Sequence, residues 1–235
     1  PIPRTMPLAL TGLRALTTID TPPAERLPVS THVGPFEAQH VRHAIRREIA
    51  RGGQVFYVSN RVQGIDGVAA KVRELVPEAR LAVAHGQMPE DQLASAMLDF
   101  VGQLVDVLIC TSIIESGLDI PNANTLIVER ADRFGLAQLH QLRGRVGRGD
   151  GRSVCLLLRG SMLGETARAR LTLMRETNDG FRIAEEDLRL RGPGEILGTR
   201  QSGEAGFRLA SAEQVNALIA TATADARLLV DRDGG

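Results

Sequence analysis

Short, largely apolar runs recur along this chain, separated by amphipathic stretches, and that alternation leaves few folds open. LPVSTHV, QVFYVS, Arg80 to Ala84, VDVLIC, NTLIVE and SVCLLL each read as a strand. Between them, Phe36 to Arg51 reads as a helix closed by Gly52 and Gly53, and Asp66 to Val76 as one ended by Pro77. Pro89 to Val101 opens on a proline, which a first helical turn tolerates, and Leu136 to Leu142 is a further helix. Strands that do not alternate in polarity are covered on both faces, and strands alternating with helices of this length build βαβ units. The predicted class is therefore α/β, a parallel sheet with helices on both faces. After Arg159 the strand pattern stops. Thr166 to Thr177, Glu185 to Leu190 and Ala212 to Val230 read as helices, so a helical hairpin appendage is expected from about residue 161.

Composition narrows the function classes. The chain has 235 residues, 43% of them hydrophobic, and no apolar run approaches the roughly 20 residues of a membrane helix. Cytoplasmic location and no membrane partner are the expectation. Cys110 and Cys155 each lie in an apolar strand run without metal-ligand spacing, so both read as buried thiols. Basic and acidic residues balance at 28 each, so any nucleic-acid contact must be local. Lys71 is the only lysine; arginine usage throughout reads as compositional bias, with a phosphate role confined to particular positions. The opening, from Pro1 through the Pro22-Pro23 turn, reads as mid-protein sequence. Residues 1–26 are expected to connect to a preceding domain, residues 27–160 to form the α/β domain and residues 161–235 the appendage and tail.

QLRGRVGRGD, from Gln141 to Asp150, places Arg145 and Arg148 three apart with Gly144 and Gly147 between and before them. On a helix that spacing puts both arginines on one face, and the glycines admit a close neighbour. Such a pair suits a phosphate whose charge grows in a transition state. A solvated arginine-rich helix would explain the charges but not the glycines. QxxGRxGR resembles the sixth motif of superfamily 2 helicases. TSIIESGLDIPNANTLIV, from Thr111 to Val128, is similar to the fifth, QVFYVSNRV to the fourth, and VAHGQM to the DNA-facing turn beside it; PIPRT resembles the end of the third. The chain contains no G-x-x-x-x-G-K-[ST] phosphate loop.

GFRIAEEDLRLRGPGEILGTRQSG, from Gly180 to Gly203, is similar to the translocation motif shared by the RecG branch-migration helicases and the transcription-repair coupling factors (Mfd). The wording from Arg4 to Gln87 is nearer the coupling factors, and from Ser153 onward nearer RecG. The resemblance implies a RecA-like second motor domain followed by a translocation hairpin. It implies Arg145 and Arg148 as arginine fingers, with Gln141, Gly117 and Asp119 near the nucleotide. Thr111, His85 and Asn60 would lie on DNA, and Arg189, Arg191, Arg200, Gln201 and Glu195 would couple motor closure to movement. His85 reads equally as a structural imidazole. ATP and Mg2+ are the implied cofactors, bound mainly by a first motor domain of the same polypeptide. Double-stranded or branched DNA and, for a coupling factor, RNA polymerase are the implied partners. The rival readings are a non-catalytic DNA- or partner-binding module, an RNA helicase and a superfamily 2 nuclease subunit.

Overall fold

The computed structural model describes residues 28–111, 120–147 and 151–191. Six strands form one sheet: β1 (Ser30–Pro35), β2 (Gln54–Val58), β3 (Leu81–Ala84), β4 (Val107–Cys110), β5 (Ala123–Val128) and β6 (Val154–Arg159). Their order is β1-β6-β5-β2-β4-β3 and every pairing is parallel. All residues of β2, β4 and β5 are buried, in keeping with their largely apolar runs.

The helices are α1 (Ala38–Ala50), α2 (Ile65–Leu75), α3 (Glu90–Val101), α4 (Leu136–Arg143), α5 (Glu165–Glu176) and α6 (Gly180–Arg191). Connections β1→β2 and β2→β3 move one way across the sheet; the later ones move back. A right-handed crossover must therefore put α1 and α2 on one face and α3 and α4 on the other. The core agrees. Val41 and Ile45 of α1 and Ile65, Ala69 and Val72 of α2 pack with Val55, Tyr57, Val107 and Ile109. On the other face the Phe56 and Phe100 rings lie 5.1 Å apart, between β2 and α3. The buried positions of α1 and α2 follow i, i+4, i+7 spacing, the stripe of an amphipathic helix.

Helix ends obey local chemistry. Gly52 follows α1 with φ +77, a left-handed turn open to glycine at little cost. Gly64 precedes α2 with φ +90. Buried Gln54 donates from Nε2 to the carbonyls of Phe100 (2.6 Å) and Val105 (2.7 Å), fastening the α3–β4 connection to the start of β2. The chain divides into two compact units whose boundary here falls after Ile183, inside α6. α5 thus clusters with the sheet, where it packs on β1 and α4. Of the second unit only residues 184–191 are described, and there Arg189 Nε donates to Glu186 at 2.8 Å. Residues 1–26 and the segment from 192 onward lie outside the described residues.

Candidate nucleotide and nucleic-acid site

Parallel strands end together, and three of them bring predicted residues to one edge. Val58 of β2, Cys110 of β4 and Ala84 of β3 are in register. One step further, Ser59, Thr111 and His85 follow side by side. The backbone ladder continues there, with Ser59 N–H donating to Cys110 O (2.8 Å) and Thr111 N–H to Ala84 O (3.3 Å). Asn60 follows in the half-buried turn, and the His85 ring accepts from the Gln87 N–H at 3.3 Å. Thr111 is buried at this edge. This carboxyl edge is where open α/β sheets bind ligands. Gly117 and Asp119, in the turn after Thr111, lie outside the described residues.

The arginine motif requires a correction. α4 ends at Arg143, with Gly144 as its C-cap, so Arg145 stands in the turn beyond the helix. Arg145 is therefore not on a helical face, and Arg148 lies outside the described residues. Gly147 has φ +78, and a Cβ there would meet Val29 Cγ2 at 3.2 Å and Ser153 Oγ at 3.3 Å. The close neighbour these glycines admit thus includes the domain's own chain at the entry to β1 and β6. Gln141 is half-buried on α4, four residues before Arg145.

Arg143 was not among the predicted site residues, and the structure gives it contacts with β1 and with the end of α5. It is buried, and Nη1 donates to the carbonyls of Met174 (2.7 Å) and Thr177 (2.9 Å) and to Thr31 Oγ1 (3.4 Å). Its Nη2 lies 3.4 Å from His140 Nδ1. Burial lowers the guanidinium's pKa from its ordinary value. These bonds cap the last turn of α5, where backbone carbonyls lack intrahelical partners and attract a cation. One signal was available: Arg143 follows Leu136 and Leu139 at helical spacing, on their apolar stripe.

Among the described residues no group of three His, Cys, Asp or Glu side chains is placed to hold a metal. A cavity of about 530 Å³ lies away from these residues, between α1 and the face of β1 and β6. His32, His40 and His43, which carried no site assignment, line it together with Arg47, Arg51 and Arg152.

Comparison with known proteins decides the family. Residues 38–150 match the helicase conserved C-terminal domain, and residues 177–235 match the ATP-dependent DNA helicase RecG, domain 3, C-terminal model. The transcription-repair-coupling factor of Mycobacterium bovis is 55% identical over 208 residues, 86% of this chain and 17% of that protein. The chain belongs to the RecG and transcription-repair coupling factor group of superfamily 2. The Escherichia coli coupling factor is 52% identical, across 86% of this chain and 18% of its own length. A structure of RecG bound to a three-way DNA junction superposes with a TM-score of 0.72 at 40% identity, covering 93% of this chain and 29% of that one. The chain thus spans under a fifth of these coupling factors' length, and its fold is the RecA-like helicase C-terminal fold of RecG. Resemblance to both RecG and the coupling factors, visible in the sequence, recurs in the domain models and relatives.

Proposed function

We propose that this chain is the second motor domain and coupling segment of an ATP-dependent double-stranded DNA translocase acting in DNA repair. One observation carries the reading. Arg145, the finger residue, lies two positions beyond Arg143, which ties the same helix end to the last turn of α5. A shift of Arg145 toward a nucleotide would therefore pull on the base of the segment that matches the RecG domain.

The residues divide the work. Arg145, with Arg148, supplies guanidinium charge to phosphate oxygens as negative charge develops, and Gln141, Gly117 and Asp119 shape the nucleotide's surroundings. ATP, gripped between this domain and a first motor domain, would supply the phosphoanhydride whose hydrolysis drives movement. Magnesium would be held mainly by that first motor domain together with the nucleotide's phosphates. Thr111, His85 and Asn60 line the sheet edge against the DNA backbone. Arg189, Arg191, Arg200, Gln201 and Glu195 transmit closure to the duplex. Residues 27–160 are the motor, and the hairpin beyond them is the transmission. Branch migration with fork reversal, or displacement of stalled RNA polymerase, is the output that the resemblance to RecG or to the coupling factors implies.

The test uses the full-length protein. Arg145→Ala should lower kcat for ATP hydrolysis on the order of a hundredfold, with a smaller change in KM, as loss of a transition-state contact does. Alanine at Arg191, Arg200 or Gln201 should leave much of the ATPase and the melting temperature intact while strand displacement from a triplex is lost. Normal hydrolysis in Arg145→Ala overturns the finger assignment. Parallel loss of stability, ATPase and displacement in the other variants overturns the coupling assignment.

A further inference from the structure

A second cleft, of about 410 Å³, opens between α5 and the strands β1 and β6, and no motif pointed to it. Arg159, Ser161, Arg168, Thr172 and Arg175 line it, with Leu171 among the apolar residues of its wall. Arg168, Thr172 and Arg175 fall at i, i+4, i+7 on α5, so one helix face presents two guanidiniums and a hydroxyl. Arg159 is the last residue of β6 and adds a third guanidinium from the sheet. Its Nη1 donates to the Gly160 carbonyl at 3.1 Å.

What is missing from this cleft is an acid. Several arginines elsewhere pair with carboxylates: Arg46 with Glu78, Arg51 with Glu48, Arg80 with Asp106, Arg130 with Asp132 and Arg189 with Glu186. No acidic residue lines this cleft, and none of the described ion pairs engages Arg159, Arg168 or Arg175. In a chain with as many acidic as basic residues, three arginines converging without a carboxylate are a local departure. Like charges gathered this way repel, and an anion removes the repulsion. Guanidinium forks match phosphate oxygens, and serine and threonine hydroxyls commonly bond the same groups.

Position narrows the anion. Arg159 ends β6 at the same carboxyl edge on which Ser59, Thr111 and His85 follow β2, β4 and β3. Neighbouring strands lie about 4.8 Å apart, so the end of β6 is roughly 10 Å from that of β2 and roughly 19 Å from that of β3. A duplex lying along this edge carries backbone phosphates over the whole interval. We propose that Arg159, Arg168 and Arg175 form a phosphate cleft that holds the backbone of duplex DNA at the β6 end of the sheet's carboxyl edge. The assignment rests on the translocase reading and adds a grip on α5, the helix whose last turn Arg143 caps.

The experiment compares wild type, the double variant Arg168→Gln/Arg175→Gln and the control Arg73→Gln, an exposed arginine on α2, all in the full-length protein. Duplex affinity is measured across a salt series, nucleotide affinity by fluorescent ATP-analogue titration, and stability by melting temperature. The double variant should keep its melting temperature, bind duplex on the order of tenfold more weakly near 0.1 M salt, and lose about one to two from the slope of log K against log salt. Arg73→Gln should follow wild type. An unchanged slope and affinity in the double variant overturns the proposal. So does a fall in melting temperature that accompanies the loss of binding, which would make the arginines structural. A loss of nucleotide affinity in place of duplex affinity assigns the cleft to free nucleotide phosphate and likewise overturns it. Failure of wild type itself to bind duplex is a different result: it removes the translocase reading, and the cleft's DNA assignment falls with it.

Discussion

Glu48 occupies the third place of the stripe that Val41 and Ile45 begin on α1, where an apolar residue would be expected. It is buried, and its oxygens are occupied: Arg51 donates from Nε (3.1 Å) and Nη2 (2.5 Å), and Thr125 Oγ1 donates from β5. A paired buried carboxylate is tolerable where an orphaned one would cost several kcal/mol. The pair explains Gly53, whose Cβ, if present, would stand 1.8 Å from Glu48 Oε1 and 2.8 Å from Cδ. Glu48 cannot swing aside without losing Arg51 and Thr125. Gly53→Ala should therefore destabilise the domain by about 2 kcal/mol. A urea titration should show a lower midpoint at unchanged slope; an unchanged midpoint would mean that Glu48 relocates freely. Arg143 repeats the theme on α4: a charge on an apolar stripe marks a residue bonded across the core. Lys71, the only lysine, is likewise placed, with Nζ 3.3 Å from the centre of the Phe36 ring and 3.7 Å from Glu129.

At the scale of elements, the turn between β5 and α4 is held by Asp132. Its Oδ1 accepts the Gly160 N–H (2.8 Å) at the end of β6, and Oδ2 accepts Arg130 Nη2 (2.9 Å). Its backbone carbonyl accepts Arg170 Nη2 from α5 at 3.2 Å. Three elements thus meet at one residue, and Arg130 adopts φ +51 to reach it. The Arg130 hydrogen bonds, opposed by burial and helped by Gly160, hold the Asp132 carboxyl below its ordinary pKa. Asp106, at the start of β4, is also lowered: burial pushes it up, but the bonds from the Arg80 side chain and backbone outweigh that. A lowered folded-state pKa means that the unfolded chain takes up protons first as pH falls. The contribution of both carboxylates is complete above their unfolded values near 3.8 and is lost as pH drops through the folded ones. Stability measured from pH 7 down to pH 3 should be flat and then fall, and Asp132→Asn should flatten the acid limb. An acid limb identical to wild type would remove Asp132 from this role.

Across the whole molecule, the two cysteines report how completely the sheet is covered. Cys110 ends β4 and Cys155 lies in β6, both fully buried. Burial pushes the Cys155 thiol up to about 12, against a lowering effect of nearby Arg143, and raises Cys110 by burial alone. Since the thiolate is the reactive form, a disulfide reagent at pH 8 should label neither cysteine in the folded chain and both after denaturation, a result read directly from absorbance. Rapid labelling of the folded chain would show that the sheet opens. The alternation of apolar runs and amphipathic stretches was enough to establish a parallel α/β sheet, because each signal is local: strand and helix periodicities differ, and glycine and proline punctuate them. It also carried the family, through motifs that are contiguous in the chain. The helix reading stops at Leu142, one residue short of its end at Arg143; what differs is the next turn, because Gly144 is the helix's C-cap and Arg145 therefore stands beyond the helical face. The apolar stripe of α4 hints at Arg143, but its partners and the arginine cleft could not be read locally. Arg159 and the arginines of α5 come from different elements, and they converge because Leu171 is buried as α5 packs on β1. That packing is decided by apolar surface brought together from distant parts of the chain, and no spacing within the sequence encodes the distance between them.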